Sequence, residues 1–237
     1  MAGKPPSNVD QWLKRETPRT RKALESASNY FDGNDHLTVN TLEAVYGQES
    51  SFGTMLGTRG SAGAAGHFHL KPDTARRYGL SVSKNNDQRF NLDYASSAAA
   101  RYLKDLNTMF SEKTTLLKGV VETSPVKSAS ERKTFTLGAY NAGEGRVATA
   151  QQLAEKAGKN PALWSDVEPF LESAGAEGTL ADQTRQYVRQ VPLSEAEFAQ
   201  KSLAKKQLKQ KAVNKGTSPC SDGHWVTIDS RPVFICD

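Results

Sequence analysis

Apolar residues recur mostly at three- and four-residue spacing, in runs of ordinary helix length separated by turns rich in Gly, Ser and Asn. Thr17 followed by Pro18 supplies an N-cap and a proline at the first helical position, opening a helix through Leu24 towards Tyr30, with a turn over 31–35. Over 37–49, Leu42, Val45 and Tyr46 share one helical face. Glu49 falls on that face too, whereas Glu43 points well away from it. A carboxylate in the middle of a stripe that packing should bury calls for a chemical reason. The Gly-, Ala- and Ser-rich stretch 53–66 cannot be a regular helix and reads as a loop returning over the end of that helix; 72–78 reads as a short helix.

A long helix is predicted over 92–110, where Ala95, Ala99, Tyr102, Leu103, Leu106 and Phe110 form an apolar stripe. Further helices are expected over 115–121, 131–141, 145–156, 161–172 and 182–191, with Gly143, Gly158 and Pro192 as stops or breaks and the core closing near Val191. Ser194 and Glu197 form a capping box for a helix to about Val213, rich in lysine at Lys201, Lys205, Lys206, Lys209 and Lys211. That helix either contacts an anionic surface or is simply solvated. The stretch 216–223 reads as a linker, and 225–236 alternates as a small β-hairpin turning near Asp229 and Ser230. The expected organisation is an N-terminal helical extension (1–35), a main helical domain (36–192), a basic helix (193–215) and a hairpin tail (216–237).

The 237 residues, 37% hydrophobic and 24% charged, suit one compact domain with short extensions. No stretch approaches the ~20 consecutive apolar residues of a membrane span. A net charge of +5 fits either a polyanionic partner or mere solubility. No nucleic-acid-binding motif accompanies it, so nucleic acid is not expected as a partner. Cys220 and Cys236 either form a local disulfide, which would place the protein in an oxidising compartment, or remain two thiols. Residues 1–8 lack an export signal, which fits a cytoplasmic protein, a chain numbered after its leader, or one delivered by a phage particle or secretion machine. His67 and His69, two apart with no acid or cysteine cluster beside them, do not predict a metal site.

Four segments carry the chemistry. They are Glu49-Ser50-Ser51-Phe52, the loop from Ser61 to Gly66 running into His67-Phe68-His69-Leu70, Ala139-Tyr140-Asn141-Ala142-Gly143 with Gly145, Arg146 and Val147, and Gln183-Thr184 followed by Tyr187-Val188. In this order they resemble the soluble lytic transglycosylases of slt-type or goose-type lysozyme-like fold, over about 37–191. The Ala-Tyr-Asn-Ala-Gly run is the most specific of the four. The resemblance implies a mainly α, lysozyme-like domain at 36–192, with no cofactor, acting as a monomer on the peptidoglycan glycan strand in the periplasm, outside the cell or in a virion.

It also implies cleavage of the β-1,4 bond between N-acetylmuramic acid and N-acetylglucosamine, leaving a 1,6-anhydro ring. Ordinary glycosidases use two carboxylates. Here the substrate's N-acetyl group and C6 hydroxyl replace the second, so Glu49 serves as both acid and base. A solvated glutamate is ionised at neutral pH, and burial on an apolar face is what would raise its pKa. Tyr187 matches the tyrosine that hydrogen-bonds the catalytic acid. Tyr140, Asn141, Phe68, His69 and Ser61 match substrate-lining positions, with Gly60 as the alternative to Ser61.

The chain departs from the family at Gly66-His67-Phe68-His69, where a Gly-Leu-Met-Gln type run is usual, so that a titratable imidazole replaces a glutamine. Gln183 stands where glutamate is usual. Two rivals follow. One is a hydrolytic muramidase of the same fold, needing Asp73, Asp93 or Glu144 as a second carboxylate. The other is a non-catalytic, peptidoglycan-binding component of a phage or secretion apparatus, a reading that the histidine substitutions feed. The stretch from Gly223 to Ile235 is similar to short C-terminal segments of phage-related proteins.

Overall fold

The computed structural model describes residues 7–116, 119–214, 223–228 and 231–236. Its helices are α1 (Asn8–Leu13), α2 (Pro18–Ser28), α3 (Val39–Ser50), α4 (Pro72–Arg77), α5 (Leu92–Ser111), α6 (Ala129–Ala142), α7 (Glu144–Lys156), α8 (Trp164–Val167) and α9 (Leu180–Asn214). Two antiparallel strand pairs accompany them, β1 (Thr115–Leu116) with β2 (Val121–Glu122) and β3 (Gly223–Ile228) with β4 (Arg231–Cys236). The mainly helical, lysozyme-like fold read from the sequence is the fold observed. The chain forms two compact units, one up to Glu195 and one from Ala196.

In the first unit, side-chain caps fix where the helices start. Thr17 accepts from the Thr20 N–H ahead of Pro18, Thr38 and Thr41 cap α3 reciprocally, and Asn91 accepts from Asp93 and Tyr94 at the head of α5. Each cap satisfies backbone donors that a helix end leaves open. The predicted stripe of α5 is buried throughout, against α2 and α6, and Leu24, Leu42, Leu103, Leu106, Phe110, Phe135 and Leu137 have no exposed surface. Trp164 lies edge-on to Phe135 and against Gly138, where an added Cβ would stand 2.4 Å from the indole.

The N-terminal helices are part of this unit. Trp12 of α1 packs on Gly47 of α3, where a Cβ would meet the indole at 2.4 Å, and it stacks on Phe52. They also bury Glu43, which the sequence pattern had turned away from the core. Its face of α3 is covered by α2, and Arg21 reaches both Glu43 and Glu16 at 2.7 Å.

Three further expectations are corrected. Instead of a helix over 115–121, Thr115–Leu116 pairs antiparallel with Val121–Glu122, and the neighbouring Thr123 hydroxyl accepts from the Thr114 N–H while sharing its hydrogen between the Met109 and Glu112 carbonyls. The single helix expected over 161–172 is divided into α8 and a 3-10 turn at Glu168–Phe170, where Pro169 removes a backbone donor. Pro192 neither stops nor breaks the last helix; α9 runs through it to Asn214. Burial of Tyr187, Val188 and Val191 before the proline, and bonds from Thr41 and Lys133 to Glu195 after it, outweigh the lost backbone bond.

In the second unit, the Lys201 ammonium pairs with Glu197, and Lys205 and Lys206 are exposed; the side chains of Lys209 and Lys211 lie outside those described. The β3–β4 hairpin packs Trp225 edge-on to Phe234. Cys236 is disulfide-bonded; Cys220, Asp229 and Ser230 lie outside the described residues. Among the described residues no helix is long and apolar enough to cross a membrane.

Candidate active site

Glu49 sits in the last turn of α3, and the chain leaves that helix abruptly. Ser51 and Phe52 both adopt left-handed backbone, at φ 48° and 57°, and Gly53 follows at 81°. This reversal sends the loop back across the helix end, where the Ser50 hydroxyl donates to the His67 carbonyl at 2.7 Å. Arg89 holds the far side of the loop, donating to the carbonyls of Ser61, Gly63 and Leu70 at 2.9–3.1 Å. Gly66 is required where it stands, because a Cβ there would lie 2.1 Å from the Arg89 carbonyl oxygen and its φ is 82°.

Between this loop, α6, α7 and the start of α9 lies a cavity of about 370 Å³. Glu49, His69, Tyr102, Tyr140, Asn141 and Glu144 line it. The Glu49 side chain keeps 13% of its surface exposed, enough to be reached from the cavity. Burial pushes its pKa up to about 7, against the smaller downward pull of a hydrogen bond from Tyr187. Near neutrality a substantial fraction of the group therefore keeps its proton, the state that proton donation to a leaving oxygen requires.

The Tyr187 hydroxyl is buried and acts on Glu49, yet closes no bond of ordinary geometry and meets no other partner. Such bonds are often long before substrate tightens the site. Burial, then the Glu49 charge, push the Tyr187 hydroxyl well above its usual range, so it remains a donor. Tyr140 stacks on Tyr187 with ring centres 6.5 Å apart and donates to the Phe68 carbonyl at 3.0 Å, tying α6 to the loop. Asn141 accepts from the Thr184 hydroxyl at 2.8 Å, which fixes its oxygen and leaves its amide N–H groups as the donors available to a ligand.

The structure brings Glu49, Tyr187, Tyr140, Asn141 and His69 together. Phe68 is not at the cavity: it is 1% exposed and stacks on Tyr46, so only its carbonyl serves the site. Ser61 lies in an adjoining cavity of about 420 Å³ with Gly60, Asp73 and Arg76, which shares Lys71 and Thr74 with the first. His67 faces the core and bonds the Tyr46 hydroxyl at 3.0 Å. Among the described residues no three or more His, Cys, Asp or Glu side chains gather as a metal set.

Glu144 lines the same cavity, whereas the Asp73 and Asp93 side chains are 100% and 57% exposed and pair with arginines. Burial works against the charge of Glu144, but its own N–H, the Tyr102 hydroxyl at 2.8 Å and Arg77 at 3.0 Å hold its pKa below the usual range. Tyr102, Lys71, Thr74 and Leu180 also line the cavity; the sequence had marked Tyr102 only as core.

The helical body, with a buried glutamate and a buried phenol beside a side cavity, agrees with the lysozyme-like fold read from the sequence. The chain belongs to the Transglycosylase SLT domain family, whose family model matches residues 27–163. It is similar to the Membrane-bound lytic murein transglycosylase D of Escherichia coli (strain K12), 33% identical over 104 residues, 44% of this chain and 19% of the relative. It also resembles Membrane-bound lytic murein transglycosylase F of Pseudomonas fluorescens, 27% identical over 161 residues (68% of this chain, 28% of the relative). Membrane-bound lytic murein transglycosylase F of Aeromonas hydrophila is 30% identical over 162 residues (68% and 27%). The chain thus spans between about a fifth and just over a quarter of the length of these relatives.

Proposed function

We propose that this chain is a peptidoglycan lytic transglycosylase in which Glu49 is the single general acid and base. The reading rests on a glutamate whose pKa burial pushes up to about 7 and which lines a cavity of about 370 Å³ together with Tyr140 and Asn141. Glu49 donates that proton to the oxygen between N-acetylmuramic acid and N-acetylglucosamine as the C1–O bond breaks. The substrate's N-acetyl oxygen supports the positive charge at C1, with Asn141 donating to the acetamido group. The C6 hydroxyl oxygen then bonds to C1, and its proton passes to the Glu49 carboxylate. No water is consumed, Glu49 ends as it began, and one product carries a 1,6-anhydro ring.

The site of action is the cell wall, in the periplasm or outside the cell. The exposed Lys205 and Lys206 of α9 are available for contact with an anionic surface there.

A hydrolytic muramidase is the second reading, favoured by the presence of Glu144 in the same cavity. Both Glu144 oxygens already accept bonds from Arg77 and Tyr102, which weakens it as a base for water. Purified sacculi and mass spectrometry of the released fragments decide between the two. Anhydro ends, lighter by one water than hydrolytic ends, are expected from the wild type and not from Glu49→Gln. Hydrolytic ends would overturn the mechanism, and absence of any wall clearing would favour a binding component.

A further inference from the structure

Lys71 and Thr74 line both the cavity of Glu49 and the adjoining cavity of about 420 Å³ beside Ser61, and neither has a place in the reaction just described. The chain that carries them is fixed on both sides of Lys71. The Leu70 carbonyl accepts from Arg89 at 3.0 Å and from the Ala65 N–H at 3.3 Å, and the Lys71 carbonyl accepts from the Ala75 N–H at 2.9 Å. The root of the Lys71 side chain is therefore held where the two cavities meet.

The other charges around the two cavities are matched. Glu144 is paired with Arg77 at 3.0 Å, and Asp73 with Arg76 at 3.2 Å, while a second Arg76 nitrogen donates to the Val82 carbonyl at 3.1 Å. His69 Nε2 meets the Met55 carbonyl oxygen at 2.7 Å. Among the described residues the exposed Lys71 ammonium has no ion-pair partner, and neither it nor the Thr74 hydroxyl has a hydrogen-bond partner. An ammonium and a hydroxyl left open together can both donate to one carboxylate.

We propose that Lys71 and Thr74 form a carboxylate-binding site at the junction of the two cavities, and that the carboxylate is carried by the side arm of an N-acetylmuramic acid residue. The proposal rests on the reading of the substrate as peptidoglycan. The acetylated sugar rings of that glycan are uncharged, and its acid groups lie on the lactyl arm. Where the stem peptide has been removed, the arm ends in its own carboxylate; where the peptide is present, the peptide supplies the carboxylates. The second cavity gives this arm room outside the space beside Glu49. Lys71 thus sets specificity for muramyl glycan over a neutral polymer of N-acetylglucosamine and takes no part in breaking the bond.

The test is calorimetric binding to the Glu49→Gln protein, in which turnover is suppressed. Three soluble oligosaccharides of equal length serve as probes: N-acetylglucosamine alone, the alternating muramyl glycan with free lactyl carboxylates, and the same glycan with its stem peptides. Adding Lys71→Gln should weaken binding of a muramyl glycan about 3- to 10-fold at low salt, as befits an exposed ion pair, and leave the neutral oligomer within about 1.5-fold. Lys71→Arg should keep the preference, and about 0.5 M salt should erase most of it. Loss confined to the peptide-bearing glycan assigns the carboxylate to the stem peptide, and loss on the peptide-free glycan assigns it to the lactyl group; both uphold the site. Equal weakening of all three probes, or of none, overturns it. The unchanged neutral oligomer also shows that the variant is folded. Binding needs no turnover, so anhydro ends released from sacculi judge the lytic reading and these titrations judge the carboxylate site.

Discussion

Arg89 meets Asp87 through two bonds, Nε to Oδ1 at 2.9 Å and Nη2 to Oδ2 at 2.7 Å, with neither side chain exposed to solvent. The remaining guanidinium hydrogens go to the three loop carbonyls, and Asp87 also accepts from the Gly60 N–H at 2.7 Å. One buried ion pair therefore determines the shape of the loop that carries His69. Arg89→Ala leaves a buried carboxylate unpaired and should cost about 3–5 kcal/mol in denaturant unfolding. Wall clearing should fall with it.

Tyr187→Phe should leave stability nearly unchanged, because the hydroxyl it removes closes no ordinary bond. The pull that draws the Glu49 pKa down disappears, so the alkaline limit of kcat should move to higher pH. Loss of one neutral hydrogen bond to the acid predicts a kcat about 3- to 10-fold lower at the optimum. Unchanged kcat and limits would separate the phenol from the chemistry.

Glu144→Gln keeps the side chain's shape and an oxygen for Arg77, removes the charge, and presents to Tyr102 an NH2 to which the phenol oxygen can accept. For a single-acid enzyme, wall clearing should stay within about tenfold of wild type, whereas Glu49→Gln should lose about 10²–10⁴. Equal losses from the two variants, measured on the same sacculi, would point to a two-carboxylate hydrolase.

Burial pushes the Glu43 pKa up to about 7, with Arg21 working against the shift and Glu16 adding to it. The folded protein thus holds a proton that the unfolded chain, near 4.5, releases. The associated stabilisation is complete below pH 4.5 and is lost as pH rises through 7. It amounts to about 3 kcal/mol at most. Unfolding free energies measured across that window should decline with pH, and Glu43→Gln should flatten the decline; Glu49, shifted in the same direction, supplies the slope that remains.

Much of this was legible in the sequence because local rules and packing agree. The cap at Thr17 and the stripe of α5 are written in residues a few positions apart, and the order of the four motifs pointed to Glu49, Tyr140, Asn141 and Tyr187 as neighbours, which the structure places close together. What the pattern could not show depends on partners distant in sequence. Glu43 reads as outward until α2 is laid on its face. Phe68 adjoins a histidine that lines the cavity, yet its own ring turns to Tyr46. Tyr102 carries the spacing of a core residue and also reaches Glu144, forty-two positions on. Pro192 signals an end by its chemistry, and only the anchoring of Glu195 shows why the helix continues.

The indole on Gly47 has a practical consequence. A fragment trimmed to residues 27–163 would retain Glu49, His69 and Glu144 but lack Trp12 and Arg21 on one side of α3 and Thr184 and Tyr187 on the other. Its acid would stand on a helix stripped of two neighbours, solvated and ionised at neutral pH. A fragment meant to keep the surroundings of Glu49 should therefore run from the first helix to Glu195, the extent of the compact unit, beyond the stretch that the family model matches.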